Sequence, residues 1–104
     1  MDKLFVIYWV DGAKSVADRI AFQIEGEIRE RGIETRIKYM YGRMVIETPH
    51  IIISFLNDWA KLTGIKCDEY FNVPREYMDH VRMNDPDKPK FEGTLMDYVL
   101  LREL

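Results

Sequence analysis

The chain has 104 residues, 47% of them hydrophobic and 32% charged, which suits a single globular domain over 1–104 and excludes a long disordered chain. Its net charge of −3 supplies no global field toward DNA or anionic lipid, although it leaves local basic patches open. Cys67 is the only cysteine, no apolar run approaches the roughly 20 residues of a membrane span, and the N-terminus lacks the small-residue cleavage site of a signal peptide; the expectation is a cytoplasmic, non-membrane protein without disulfides.

Lys3–Val10 (KLFVIYWV) is a continuous apolar run, as expected of a central strand covered on both faces. After Asp11-Gly12-Ala13-Lys14, a helix is predicted from a Ser15 cap to a Gly32 stop. Val16, Ile20, Ile24 and Ile28, flanked by Ala17 and Ala21, form its apolar stripe, and Glu25–Arg29 and Glu27–Arg31 are favourably oriented i,i+4 pairs. Ile33–Tyr41 alternates: Ile33, Thr35, Ile37, Tyr39 and Tyr41 point one way, Glu34, Arg36, Lys38 and Met40 the other. That pattern predicts a strand with one wetter face. Gly42-Arg43 reads as a turn, and Met44–Thr48 and His50–Leu56 as two strands around Pro49, the second central because HIIISFL is β-branched and apolar.

Asn57-Asp58 caps a short helical turn over Trp59–Leu62 that ends at Gly64, and Ile65–Phe71 reads as a short strand or an ordered loop. Val73-Pro74 opens a predicted helix to about Met83. Asn84–Gly93, polar and with two prolines, is a loop. Thr94–Leu104 fits a helix with Thr94 as cap and Asp97 at its third position, with a terminal strand over MDYVLL as the rival.

The opening strand-turn-helix places loop amides and a helix N-terminus at a strand end, a favoured place for phosphate in α/β folds. Lys14-Ser15 matches the end of a phosphate loop, but Gly12 is the only glycine in the turn, and the amides of such a loop converge only where side chains do not obstruct them. A nucleotide site built here uses Asp11, Gly12, Lys14 and Ser15, with Asp68 and Glu69 as a Walker B type acidic pair for Mg²⁺; the plainer reading is a capped helix and a solvated acidic turn. From Arg36 to Phe71 the chain has a basic strand, a hairpin, an apolar strand ending Phe55-Leu56-Asn57, then Leu62-Thr63-Gly64 and Asp68. In that order it resembles the segment of phage packaging (terminase-type) ATPases in which a hairpin precedes the Walker B strand. With both Walker motifs degenerate, the resemblance implies a reduced, non-hydrolysing relative that binds rather than catalyses.

Leu4–Trp9 also resembles the first-strand motif of RNA-recognition domains, and Tyr41–Ile46 falls near their third-strand motif. That resemblance implies single-strand nucleic-acid binding by base stacking and cation contacts, for which Arg36, Lys38, Tyr39, Tyr41 and Arg43 supply the residue types. Cys67 with His50 or His80 has no spacing that marks a nucleophile and base, and His80 with Asp79, Asp85 and Asp87 matches no metal motif. Trp9, Trp59, Tyr70, Phe71 and Tyr77 are core candidates, some of which offer an aromatic patch to a partner. The expected fold is a small Rossmann-like or P-loop-like α/β sheet with helices packed on it, a ferredoxin-like α+β sandwich being the alternative. The expected function is non-catalytic protein binding, of a kind phages and mobile elements encode, without a cofactor. A nucleotide module, nucleic-acid binding and homo-oligomerisation stay open.

Overall fold

The computed structural model describes residues 2–40 and 42–104. A five-stranded mixed sheet carries the chain, in the order β2-β3-β4-β1-β6. Its strands are β1 (Leu4–Trp9), β2 (Arg36–Met40), β3 (Arg43–Glu47), β4 (Ile51–Leu56) and β6 (Glu69–Phe71). β1 runs parallel to β4 and to β6, while β2, β3 and β4 form an antiparallel meander. β5 (Lys66–Cys67) and β7 (Arg82–Met83) make a small parallel pair of their own. The coarse α/β expectation holds, with β1 and β4 central as their apolar runs require. Among the described residues no helix is long and apolar enough to cross a membrane.

The register sorts side chains onto two faces. Val6, Ile53, Ile46 and Ile37 share one row, and Tyr8, Phe55, Met44 and Tyr39 the next. α1 (Lys14–Glu30) covers β3 and β4 on this face and contributes Ala17, Ala21 and Ile28 to the core, and α2 (Leu95–Glu103) adds Leu95, Tyr98 and Val99. On the opposite face Ile7, Trp9 and Leu56 form a second core with Leu62 and Cys67, closed by two 3₁₀ helices, Trp59–Gly64 and Arg75–His80.

The structure corrects three local expectations. α1 begins at Lys14 behind Ala13, which makes no side-chain cap bond, and Ser15 lies exposed inside the first turn. Asp18, three residues after Ser15, accepts from Lys14 Nζ at 2.8 Å. The predicted helix from Pro74 to Met83 is a 3₁₀ turn over Arg75–His80 followed by β7. Val81 and Met83 both point into the second core, an alternation that draws the chain into pairing with Lys66–Cys67 rather than into a 3.6-residue stripe. Arg31 reaches the carbonyl oxygen of Glu27, not its carboxylate. The Glu25–Arg29 pair forms as expected at 2.9 Å, with Glu25 also accepting from Thr35 Oγ1, and Thr94–Asp97 closes as a reciprocal capping box at the start of α2.

Two buried carboxylates tie distant segments to the sheet. Glu103, near the C-terminus, accepts from Thr48 Oγ1 at 2.7 Å, from the His50 N–H at 2.7 Å and meets His50 Nδ1 at 2.8 Å. This clamps α2 to the turn before β4. Burial works to raise the Glu103 pKa, but the bonds from His50 and Thr48 outweigh it and hold the carboxyl below its ordinary value. Glu69, fully buried on β6, pairs with Lys90 at 3.0 Å and accepts from the Phe91 N–H at 3.1 Å. Lys90 lies over the rings of Tyr70 and Phe71, at 4.6 and 4.3 Å, and Phe91 packs edge-on against Tyr98 at 5.1 Å.

A charge this deep is costly alone and tolerable paired. Lys90→Met, which leaves Glu69 buried and unpaired, should lower unfolding free energy by about 3 kcal/mol; Glu69→Gln should cost less, because the Lys90 ammonium reaches solvent, and the double variant should cost less than the sum of the two. Urea denaturation of the four proteins checks this, and additive losses would contradict it.

Candidate functional site

The loop after β1 is held by its own contacts. Asp11 Oδ1 accepts from Trp9 Nε1 at 2.7 Å, and the Gly12 carbonyl accepts from Asn57 Nδ2 at 3.0 Å, linking the ends of β1 and β4. Gly12 has φ +121°, a conformation that favours glycine. Lys14, besides its bond to Asp18, stands 5.5 Å from the Tyr39 ring. Thus Asp11, Gly12 and Lys14 each have a partner within the protein.

Asp68 and Glu69 lie elsewhere. Asp68 Oδ2 accepts from the Phe5 N–H at 2.7 Å, its own N–H donates to the Phe5 carbonyl at 2.7 Å, and Glu69 stands in register with Val6. β1 continues four residues past Phe5 to Trp9, about 13 Å along the strand, before the loop begins. The structure therefore does not bring the acidic pair to Lys14 and Ser15. The concavity nearest the strand ends holds about 310 Å³ and is lined by Tyr8, Ile24, Glu27, Phe71, Asn72, Gly93, Thr94, Leu95 and Met96. No residue of the β1–α1 loop lines it.

The nucleic-acid set divides as well. Arg36, Lys38 and Arg43 share one face of the β2–β3 hairpin, whereas Tyr39 projects from the other face, toward α1. Tyr41 lies outside the described residues. Around these cations Glu47 acts as a hub, meeting Lys3 and Lys38 at 2.9 Å each. Those two ammonium groups press its pKa down to about 2. Arg43 Nε donates to the buried Ser54 Oγ at 2.7 Å. Lys3, Arg36, Lys38, Thr48 and Glu47 line a shallow cleft of about 350 Å³ that also takes in Glu34. Among the described residues, Tyr39 and the cations Arg36, Lys38 and Arg43 thus do not share one surface.

A different constellation does reach solvent as a unit. Trp9, buried on β1, packs against Tyr77 at 5.1 Å; Tyr77 stacks on Trp59 at 6.4 Å with 14° between the planes; and Trp59 meets His80 at 4.9 Å. Trp59 is 48% exposed and Met78 beside Tyr77 is 36% exposed. Asp58 caps the first 3₁₀ helix by accepting from the Ala60 N–H at 3.0 Å, which holds Trp59 at the outer end of the stack. Trp59 and Tyr77 were legible as aromatic candidates. Their stacking on each other and the contact of Trp59 with His80 were not, because they arise between two separate 3₁₀ turns.

Cys67 is fully buried, donates to Met83 Sδ at 3.6 Å, and burial with the carboxylates of Asp68 and Glu69 pushes its thiol up to about 12. Such a thiol is inert at neutral pH. Neither histidine joins it: His50 is engaged by Glu103 and His80 by Trp59. Among the described residues no three His, Cys, Asp or Glu side chains converge as a metal site. No family model matches the chain, and neither the curated proteins nor the solved structures contain a match to it.

The Glu47 hub has a pH signature. Its carboxyl is depressed in the fold, so the unfolded chain binds the extra proton and stability falls as pH falls. This contribution is complete above the ordinary carboxylate value of 4.5 and is lost toward about 2. Melting temperatures measured from neutral pH to about 2 should decline through that window, and Glu47→Gln should flatten the decline. An unchanged slope in Glu47→Gln would contradict the hub.

Proposed function

We propose that this protein is a non-catalytic binding module that works by contact with another protein, and that the Trp59–Tyr77–His80 ledge is its recognition surface. The observation that carries the reading is the stack itself: a half-exposed tryptophan held rigidly at the end of an aromatic ladder anchored in the core. Aromatic anchors of this kind lose little conformational freedom on binding and dominate interface energetics. The titratable groups favour binding over catalysis, since Glu25, Glu47, Glu69 and Glu103 are each engaged by partners within the fold and Cys67 is buried.

The strand-turn-helix at the start and the parallel β4-β1-β6 arrangement fit a Rossmann-like or P-loop-like kinship. The resemblance to packaging ATPases fits a relative that has kept the frame and lost the glycines of its phosphate loop. On this reading a phage or mobile element would supply such a protein to occupy a surface of another protein.

Trp59→Ala should leave the fold intact by circular dichroism and weaken partner binding by about 2 kcal/mol, roughly 30-fold. Quantitative affinity capture from host lysate with wild type, Trp59→Ala and Leu101→Ala checks this. Leu101 is 62% exposed on α2, away from the ledge. Proteins retained by wild type and Leu101→Ala should be lost with Trp59→Ala; the same proteins retained equally by all three would overturn the assignment.

A further inference from the structure

We propose that the outer edge of β2 is a second docking site, which takes an extended acidic segment of a partner protein as a sixth strand of the sheet. It rests on observations separate from the aromatic ledge. β2 ends the sheet order, and among the described residues nothing pairs with its outer side. In an antiparallel ladder every second residue turns its N–H and C=O away from its neighbour, so this edge presents open backbone groups. Four of its five residues are exposed, Tyr39 at 61% and Met40 at 39%.

Charge identifies the occupant. β2 carries Arg36 and Lys38 and no carboxylate. Glu47 stands opposite Arg36 in register, but its oxygens are taken by Lys3 and Lys38, and Arg36 has no ion pair among the described residues. The other side of the edge is apolar. Tyr39 projects toward α1, where Lys14 approaches its ring and Glu25 meets Thr35 just before β2. Lys14, Phe22 and Glu25 fall within roughly 80° of one another on the helix at 3.6 residues per turn, which puts Phe22, 53% exposed, on the β2 side of α1.

An added strand alternates its side chains between these two sides. Acidic residues on one side meet Arg36, beside the Lys38 ammonium that Glu47 already engages, and apolar or aromatic residues on the other meet Tyr39 and Phe22. A second copy of this chain would instead set Arg36 and Lys38 against the same two cations, which is unfavourable. A nucleic-acid strand would satisfy the cations but leave the backbone groups of the edge unused. An acidic peptide strand uses both, in the manner of β-strand addition.

The test is fluorescence anisotropy with a labelled peptide of about seven residues, one strand length, alternating Glu with Val and Tyr. A scrambled peptide of the same composition and a labelled oligothymidylate are measured beside it. The alternating peptide should bind, slow amide exchange along Arg36–Met40, and weaken about tenfold or more with added salt and with Arg36→Glu. Should Arg36→Glu fail to fold, Arg36→Gln and the exchange pattern of the wild-type complex carry the same reading. Absent or equal binding of the alternating and scrambled peptides would overturn the proposal. So would binding without protection of β2, tighter binding of oligothymidylate, or sedimentation showing a dimer that Arg36→Glu dissociates.

Discussion

A fully buried carboxylate, Glu69, is the constraint on which much of the rest depends. It sits on the edge strand β6 in register with Val6 of the central strand, where leaving it unpaired would cost several kcal/mol. The structure meets that cost by bringing the polar loop before α2 back to the sheet. Lys90 supplies the opposite charge, the Phe91 N–H supplies a hydrogen bond, and the Lys90 ammonium lies over the rings of Tyr70 and Phe71. Phe91 then packs with Phe71 and Tyr98, so the same contact that neutralises the charge seats α2 on the core. Glu103 repeats the device at the far end of α2, through Thr48 and His50. Two carboxylates thus fasten the segment before α2 and the end of α2 to the sheet, beside the apolar contacts of Leu95, Tyr98 and Val99.

This arrangement bears on function because it commits acidic residues to structure. Asp68 and Glu69 are bonded to the backbone of β1 and to the loop that crosses β6, not to the β1–α1 turn. Lys14 and Asp18 bond each other. What remains presented to solvent is of another kind: an aromatic ledge at one end of the second layer, and an uncovered strand edge with a basic side at the other end of the sheet. On the proposed reading both serve contact with another protein.

The frame was legible where periodicity is strong and local. The apolar runs of β1 and β4, the stripe of α1 and the Thr94–Asp97 capping box each depend on neighbours within a few residues. The rest depended on contacts that sequence order does not display. Whether α1 is capped by Ser15 is decided by the backbone at Gly12 and Ala13, and the helix starts two residues earlier than a Ser15 cap would need. Whether 74–83 is helical is decided by the pairing of Arg82–Met83 with Lys66–Cys67. An acidic pair such as Asp68-Glu69 reads as solvated or as a metal ligand until register places one member beneath Lys90. The separation of Tyr39 from Arg36 and Lys38, by contrast, already follows from the alternation of β2, which sets odd and even positions on opposite faces.

The central claim, offered as a proposal, is that Asp68 and Glu69 serve the fold rather than a nucleotide site at the β1–α1 turn, and that function lies on outer surfaces. Isothermal titration calorimetry with ATP and with GTP, each in the presence of Mg²⁺, tests that claim most directly. The account predicts no binding heat for wild type, Lys14→Ala or Asp68→Asn. Saturable nucleotide binding that requires Mg²⁺ and is lost in both variants would contradict it, because the loop and the acidic pair would then be acting as one site.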